Sequence, residues 1–197
     1  MHRNNTVQLR KFKEWLPVKS GTILDIGSYD LHGYNARQIF DKGWTYKGVD
    51  IAPGPNVDMV VSTSSVEPIG QFDVVISLNT MEHVENPFTL FSFAVNNLRP
   101  GGYMFIMAPF SCEFHRHPVD CWRYTPDTFD YMCRLNNLKL VESSLTKGGG
   151  NLVGTISDIC WLAKRGEFSK AYGVLCRFPF RIRHYDCHMV GQKTSRQ

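Results

Sequence analysis

Short apolar runs, each about one strand long, recur down the first half of the chain with helix-length stretches between them. Gly21-Thr22 leads into Ile23-Leu24-Asp25-Ile26; Tyr46-Lys47-Gly48-Val49-Asp50 follows, then Val57 to Val61, Phe72 to Ser77 and Tyr103 to Ala108. A strand that is apolar on successive residues must be covered on both faces. Such coverage comes from helical crossovers between parallel strands. Helices are expected over Asn35 to Lys42 and over Pro87 to Asn97, where Pro87 occupies a first turn that tolerates its missing N–H. Arg99-Pro100-Gly101-Gly102 reads as a turn. Further on, Thr125 to Asn136 is expected as a helix, Leu138 to Leu145 as a strand, Gly148-Gly149-Gly150 as a break, Asn151 to Lys164 as a helix and Cys187 to Lys193 as a last strand. The expected class is α/β, with a doubly wound, mostly parallel sheet.

The 197 residues fit one domain spanning 1–197, with no repeat or linker to divide it. At 43% hydrophobic and 20% charged residues, the chain reads as globular and not disordered. No apolar run approaches the ~18 residues of a membrane span. The polar start Met1-His2-Arg3-Asn4-Asn5 has no charged-then-apolar leader, so a cytoplasmic protein is expected. Cys112, Cys121, Cys133, Cys160, Cys176 and Cys187 include no C-x-x-C pair, which fits reduced thiols in that compartment. The net charge of +4 is uneven: from Lys164 onward eight Lys/Arg face Glu167 and Asp186, and the rest of the chain is slightly acidic. A basic segment interleaved with Phe178, Phe180 and Tyr185 fits an anionic small-molecule acceptor, a nucleic acid or a solvated face.

Ligands of doubly wound sheets sit outside the carboxyl ends of the strands. Three strand ends here carry suitable residues. Gly27 directly follows the first strand, where a glycine lets the backbone approach a ligand. Asp50 closes the second strand, where a carboxylate can accept from both hydroxyls of a ribose. Leu78-Asn79-Thr80-Met81-Glu82-His83 follows the fourth. A nicotinamide cofactor favours G-x-G-x-x-G, but Tyr29 fills the position whose glycine makes room for the pyrophosphate. No G-x-x-x-x-G-K-[ST] loop occurs.

Leu24-Asp25-Ile26-Gly27-Ser28, Gly48-Val49-Asp50-Ile51, Phe72-Asp73-Val74-Val75-Ile76-Ser77 with Met81-Glu82-His83-Val84, and Leu98-Arg99-Pro100-Gly101-Gly102-Tyr103 stand in that order over about residues 20–110. In this set and order the chain resembles class I S-adenosylmethionine-dependent methyltransferases of the small bacterial and phage type. The resemblance implies a Rossmann-like fold, seven strands with an antiparallel last strand, and S-adenosylmethionine as cofactor. It places Asp25, Gly27 and Ser28 by the methionine part, Asp50 on the ribose, Ile51 against the adenine, Thr63 and Ser64 (with Ser62) near the adenine amine, and Asn79 beside the sulfonium. Most members carry G-x-G-x-G in the first loop; here only Gly27 fills it, with Gly33 as a late glycine.

The segment Pro109 to Pro126 is dense in polar and aromatic groups, unusual for a plain connection. Its run His117-Pro118-Val119-Asp120-Cys121-Trp122-Arg123-Tyr124-Thr125 resembles a segment of small methyltransferases, several from sugar-modifying pathways. Methyl transfer to oxygen also needs a proton removed, for which histidine is suited. His115 and His117 are the expected bases with Asp120 as partner, and His83 is expected to support the loop. Arg123 is expected in an ion pair. Cys112, His115, His117, Asp120 and Cys121 match no standard zinc spacing, so no metal is expected. The expected activity is methyl transfer to a hydroxyl or amine of a small polar, sugar-like acceptor. The alternatives are a nucleic-acid methyltransferase, a non-catalytic cofactor-binding module and a nicotinamide-dependent oxidoreductase.

Overall fold

The computed structural model describes residues 3–30, 33, 35–62, 64, 66–116, 118–147 and 185–194. The helix Arg3–Trp15 (α1) precedes the strands Gly21–Ile26 (β1), Trp44–Asp50 (β2), Met59–Val60 (β3) and Phe72–Leu78 (β4). The helix Pro87–Asn96 (α2), the strand Leu98–Ser111 (β5), the helix Pro126–Leu135 (α3) and the strands Leu138–Lys147 (β6) and Tyr185–Lys193 (β7) follow. They form one seven-stranded sheet in the order β3-β2-β1-β4-β5-β7-β6. β1 to β5 pair in parallel, and β7 runs antiparallel to both β5 and β6. The expected mostly parallel sheet with an antiparallel last strand is the observed one.

Alternation along the central strands divides the core between two faces. Ile23, Val74, Ile76, Phe105 and Met107 pack with Leu9 and Phe12 of α1 and with Leu16 just after it. The intervening Leu24, Ile26, Val75, Met104, Ile106 and Ala108 pack with Leu90, Phe91 and Ala94 of α2 and Phe129 and Met132 of α3. Both later helices are capped by side chains. Asn86 accepts from the backbone N–H groups of Phe88 and Thr89 at 3.2 Å each, and Thr125 shares a reciprocal cap with Thr128.

The structure differs from the sequence reading at three places. The expected helix over Asn35 to Lys42 is a short 3-10 turn, Ala36–Gln38, capped by Asn35. Ala36, Ile39 and Phe40 give it one turn of buried contacts; Asp41 and Lys42 are exposed, and Gly43 turns the chain at φ 78°. The expected turn at residues 99–102 lies inside β5 as an irregularity, with a register shift against β4 between Phe72 and Val74 and Gly101 at φ 81°. α1 comes from a Leu9-Phe12-Leu16 spacing that puts three apolar side chains on one helical face. The expected break at Gly148-Gly149-Gly150, the helix Asn151 to Lys164 and most of the basic segment lie outside the described residues.

The Phe12 ring stacks on Phe105 with centroids 4.9 Å apart. Phe12→Ala is expected to cost about 3–5 kcal/mol in urea unfolding, the usual loss for a buried phenylalanine. A loss below roughly 1 kcal/mol would show that α1 is not part of the cooperative core.

Candidate cofactor and acceptor site

Register carries the strand-end residues to one edge. Ile26 pairs with Val49 on β2 and with Ser77 on β4, so Gly27, Asp50 and Asn79 leave three adjacent parallel strands on the same side. The N–H groups of Gly27 and Ser28 both donate to the Val49 carbonyl, at 2.9 and 3.1 Å. Gly27 stands at φ 80°, and a Cβ there would lie 2.0 Å from Thr80 Oγ1. The first loop is thus shaped by a glycine that no other residue can replace without displacing Thr80.

Asp50 is held from two sides: Oδ2 accepts from the Tyr29 N–H at 3.1 Å and Oδ1 from the Ile51 N–H at 2.7 Å. Ile51 is exposed beside it, and the Tyr29 ring lies against Gly54. Asn79 adopts φ 53°; its N–H donates to the Met107 carbonyl at 2.8 Å, and its Oδ1 accepts from Asn5 Nδ2 at 3.0 Å. Asn5 comes from the first turn of α1 and is buried, with an Oδ1 that has no hydrogen-bond partner among the described residues. Ser64 is exposed, with its N–H on the Ser62 hydroxyl at 3.2 Å; Thr63 lies outside the described residues.

Asp25 and Ser28 are differently employed. Both are buried. Asp25 accepts from the Tyr46 hydroxyl, and Tyr46 in turn accepts from Asn56 Nδ2 at 3.0 Å. The Ser28 hydroxyl donates to the Asn56 carbonyl at 3.1 Å, and Asn56 Nδ2 also donates to the Ser28 carbonyl at 3.0 Å. Arg37 joins the cluster with its guanidinium 4.4 Å above the Tyr46 ring and Nε 2.9 Å from Asn56 Oδ1. Burial pushes the Asp25 carboxyl up to about 7, against the Tyr46 hydrogen bond, which lowers it; the Asp50 charge adds to the rise and Arg37 opposes it. Tyr46, Asn56, Arg37 and Asn5 were not singled out from sequence. Each acts through a contact across the sheet or from a helix, and only the aromatic-polar content of β2 hinted at one of them.

The segment after β5 is laced onto the 3-10 turn Met81–His83 that follows β4. The Cys121 N–H donates to the Glu82 carbonyl at 2.8 Å, His83 Nδ1–H to the Val119 carbonyl at 2.5 Å, Trp122 Nε1–H to the Val84 carbonyl at 3.0 Å and the Tyr124 hydroxyl to the Met81 carbonyl at 2.8 Å. His83 therefore supports the loop, as expected. Arg123 grips the two oxygens of Asp120 at 2.5 and 2.9 Å, the expected ion pair. The His115 N–H reaches Asp120 Oδ2 at 2.8 Å, and His115 Nδ1 lies 3.5 Å from that oxygen. The Arg123 hydrogen bonds hold the Asp120 carboxyl well below the usual range, against the cost of burial. His117 lies outside the described residues.

Glu82 is fully buried, and neither of its carboxylate oxygens has a hydrogen-bond partner. Burial pushes its carboxyl up to about 8; Asp186 and Asp120 reinforce the rise, while its own backbone N–H and Arg123 oppose it. His83 Nε2 stands 3.7 Å from Glu82 Oε1, and the His83 and His115 rings meet edge to face with centroids 5.0 Å apart.

The family described as Methyltransferase domain matches residues 2–143. No curated protein matches the chain in sequence. Among solved structures, a sarcosine dimethylglycine methyltransferase candidate from Galdieria sulphuraria is 14% identical with a TM-score of 0.66, covering 97% of this chain and 86% of that one. The cyclase SpnF is 13% identical with a TM-score of 0.65, covering 98% and 81%. The Burkholderia thailandensis 1,6-didemethyltoxoflavin-N1-methyltransferase, solved with bound 1,6-didemethyltoxoflavin and S-adenosylhomocysteine, is 16% identical with a TM-score of 0.62, covering 98% and 78%.

A carboxyl raised from 3.8 to about 7 binds its proton more tightly folded than unfolded. Its contribution to stability is complete below the unfolded value and is lost as pH rises through the folded one. Asp25→Asn escapes that loss. Its unfolding midpoint, measured against wild type, should therefore rise between pH ~4 and pH ~8. Parallel pH curves for the two proteins would contradict the assignment of a raised Asp25.

Proposed function

The chain belongs to the methyltransferase-domain family, and on that premise we propose that it transfers a methyl group to a hydroxyl or amine of a small polar, sugar-like acceptor. It is an S-adenosylmethionine-dependent methyltransferase with a Rossmann-like fold. The observation that carries the finer reading is the lacing of the 112–125 segment onto the turn after β4, beside the strand ends that hold the cofactor residues. This forms a wall of polar and aromatic groups at the mouth. We take the chain to work as one domain over residues 1–197.

The residues fit the cofactor. The glycine cradle at Gly27 admits close approach, and the two backbone N–H groups on Asp50 fix a carboxylate at the strand end. In the proposed arrangement Asp50 holds the ribose hydroxyls and Ile51 covers the adenine, with Thr63 and Ser64 near its amine. Gly27 and Asn79 border the methionine part, with Ser28 buried behind Gly27. Asp25 serves this loop from below through Tyr46 and Asn56, as a positioning residue. S-adenosylmethionine supplies an already activated methyl on its sulfonium, so orientation of the acceptor carries much of the rate.

At the acceptor side His115 is the proposed proton acceptor, with Asp120 orienting it and Arg123 anchoring Asp120. His117, two residues on, is the second candidate. An anionic group on the acceptor would suit the basic C-terminal segment. Among the described residues no helix is long and apolar enough to cross a membrane.

The test follows S-adenosylhomocysteine release across a panel of sugar-linked hydroxyl and amine acceptors, with RNA and DNA included. Turnover on a small acceptor is expected, and Asp120→Asn should lower kcat by about 100-fold, the lower end of what a positioned base supplies. Turnover only on a polynucleotide, with binding that falls steeply with salt, would overturn the small-acceptor reading.

A further inference from the structure

The described residues bring together three potential ligands from two separate segments: Glu82 and His83 from the turn after β4, and His115 from the segment after β5. One donor atom from each lies within 4.8 Å of the others. Their surroundings prepare them for a cation in three ways. First, the Glu82 carboxyl is fully buried with no hydrogen bond to either oxygen among the described residues, and burying a polar group without a partner is expensive. Secondly, both imidazoles use Nδ1 on main-chain carbonyls: His83 on Val119 at 2.5 Å and His115 on Glu113 at 3.0 Å. A neutral ring that donates through Nδ1 carries its lone pair on Nε2, the orientation that metal-ligating histidines receive from their outer partners. For His83 that nitrogen is the one 3.7 Å from Glu82 Oε1. Thirdly, Asp120 stands behind His115 at 3.5 Å from Nδ1, a carboxylate–histidine arrangement, while Arg123 is already paired with Asp120.

We propose that Glu82, His83 and His115 form a binding site for a divalent first-row transition metal at the acceptor mouth. Two imidazoles and one carboxylate favour zinc, cobalt, iron or manganese over magnesium, which prefers oxygen alone and keeps its waters. Donors on a zinc ion at about 2.1 Å lie about 3.4 Å apart at the tetrahedral angle. Three protein ligands leave at least one position open toward the mouth, where an acceptor oxygen can enter. The site deepens the methyl-transfer reading and rests on it for the acceptor: His115 then acts by holding the cation, whose charge eases loss of the acceptor's proton. The two half-sites lie 32 residues apart in sequence, so no local spacing announces them.

Untagged full-length protein, stripped with chelator, is titrated with Co²⁺ and followed by its visible absorption, with Zn²⁺ competition and a Mg²⁺ control. S-adenosylhomocysteine binding is measured in parallel on every variant. One equivalent of Co²⁺ is expected, displaced by Zn²⁺ and not by Mg²⁺, with affinity reduced at least tenfold in Glu82→Gln and in His83→Gln. His115→Gln serves as the second segment's variant should either of these fail to fold. Absence of Co²⁺ binding, or affinity unchanged by these substitutions, overturns the metal site while intact S-adenosylhomocysteine binding leaves the methyltransferase reading standing. Loss of S-adenosylhomocysteine binding in wild type would instead strike that reading, whatever the metal does.

Discussion

The close approach of Gly27 to Thr80 sets the geometry on which the rest of the site depends. A residue with a side chain would put its Cβ 2.0 Å from the threonine hydroxyl and would have to adopt a left-handed backbone at φ 80°. With glycine there, the first loop can turn directly off β1 while two consecutive N–H groups bond the Val49 carbonyl of β2. That turn holds β1, β2 and β4 in register at their carboxyl ends. It brings the Tyr29 N–H onto Asp50 and leaves Asn79 one strand away. One missing side chain thereby joins backbone sterics to sheet packing and sheet packing to the placement of the strand-end carboxylate of Asp50.

Beneath the mouth the protein buries carboxyl groups that it treats in opposite ways. Asp120 is gripped by Arg123 and stays charged, so it can orient His115. Asp25 has only the Tyr46 hydroxyl, and Glu82 has no hydrogen bond to its side chain, so burial raises both. Such contrasts between neighbouring groups mark places where structure is spent on chemistry and not on stability alone. The two aspartates also serve different places: Asp25 ties β1 to Tyr46 of β2, while Asp120 ties His115 to Arg123 in the segment after β5.

Much of this was legible in sequence because strand ends are. Apolar runs place β1, β2, β4 and β5, and the residue after each run is then carried to the ligand edge by topology, which identifies Gly27, Asp50 and Asn79. The mostly parallel sheet follows from the same runs, and the seven strands with an antiparallel last one from the family resemblance. Contacts that depend on register or on helix docking were hidden. Tyr46 reaches Asp25 only because β1 and β2 pair with Asp25 opposite Gly48, and Asn5 reaches Asn79 only because α1 docks on the sheet. Glu82 stood inside a motif, but nothing in the sequence revealed that it is fully buried without a hydrogen bond. Glu82 and His83 meet His115 from two segments, a proximity that no local spacing announces. The helix expected at residues 35–42 failed for a plainer reason: its apolar pattern lasts only one turn.

The central claim is that the strand-end residues make a site for S-adenosylmethionine and not for a dinucleotide. Its most direct test is calorimetric titration of wild type and Asp50→Ala with S-adenosylmethionine, S-adenosylhomocysteine and NAD. The account predicts binding of both sulfur compounds by wild type, at least tenfold weaker in the variant, and no heat with NAD. Binding of NAD, or S-adenosylhomocysteine affinity indifferent to the loss of the Asp50 carboxylate, would contradict it.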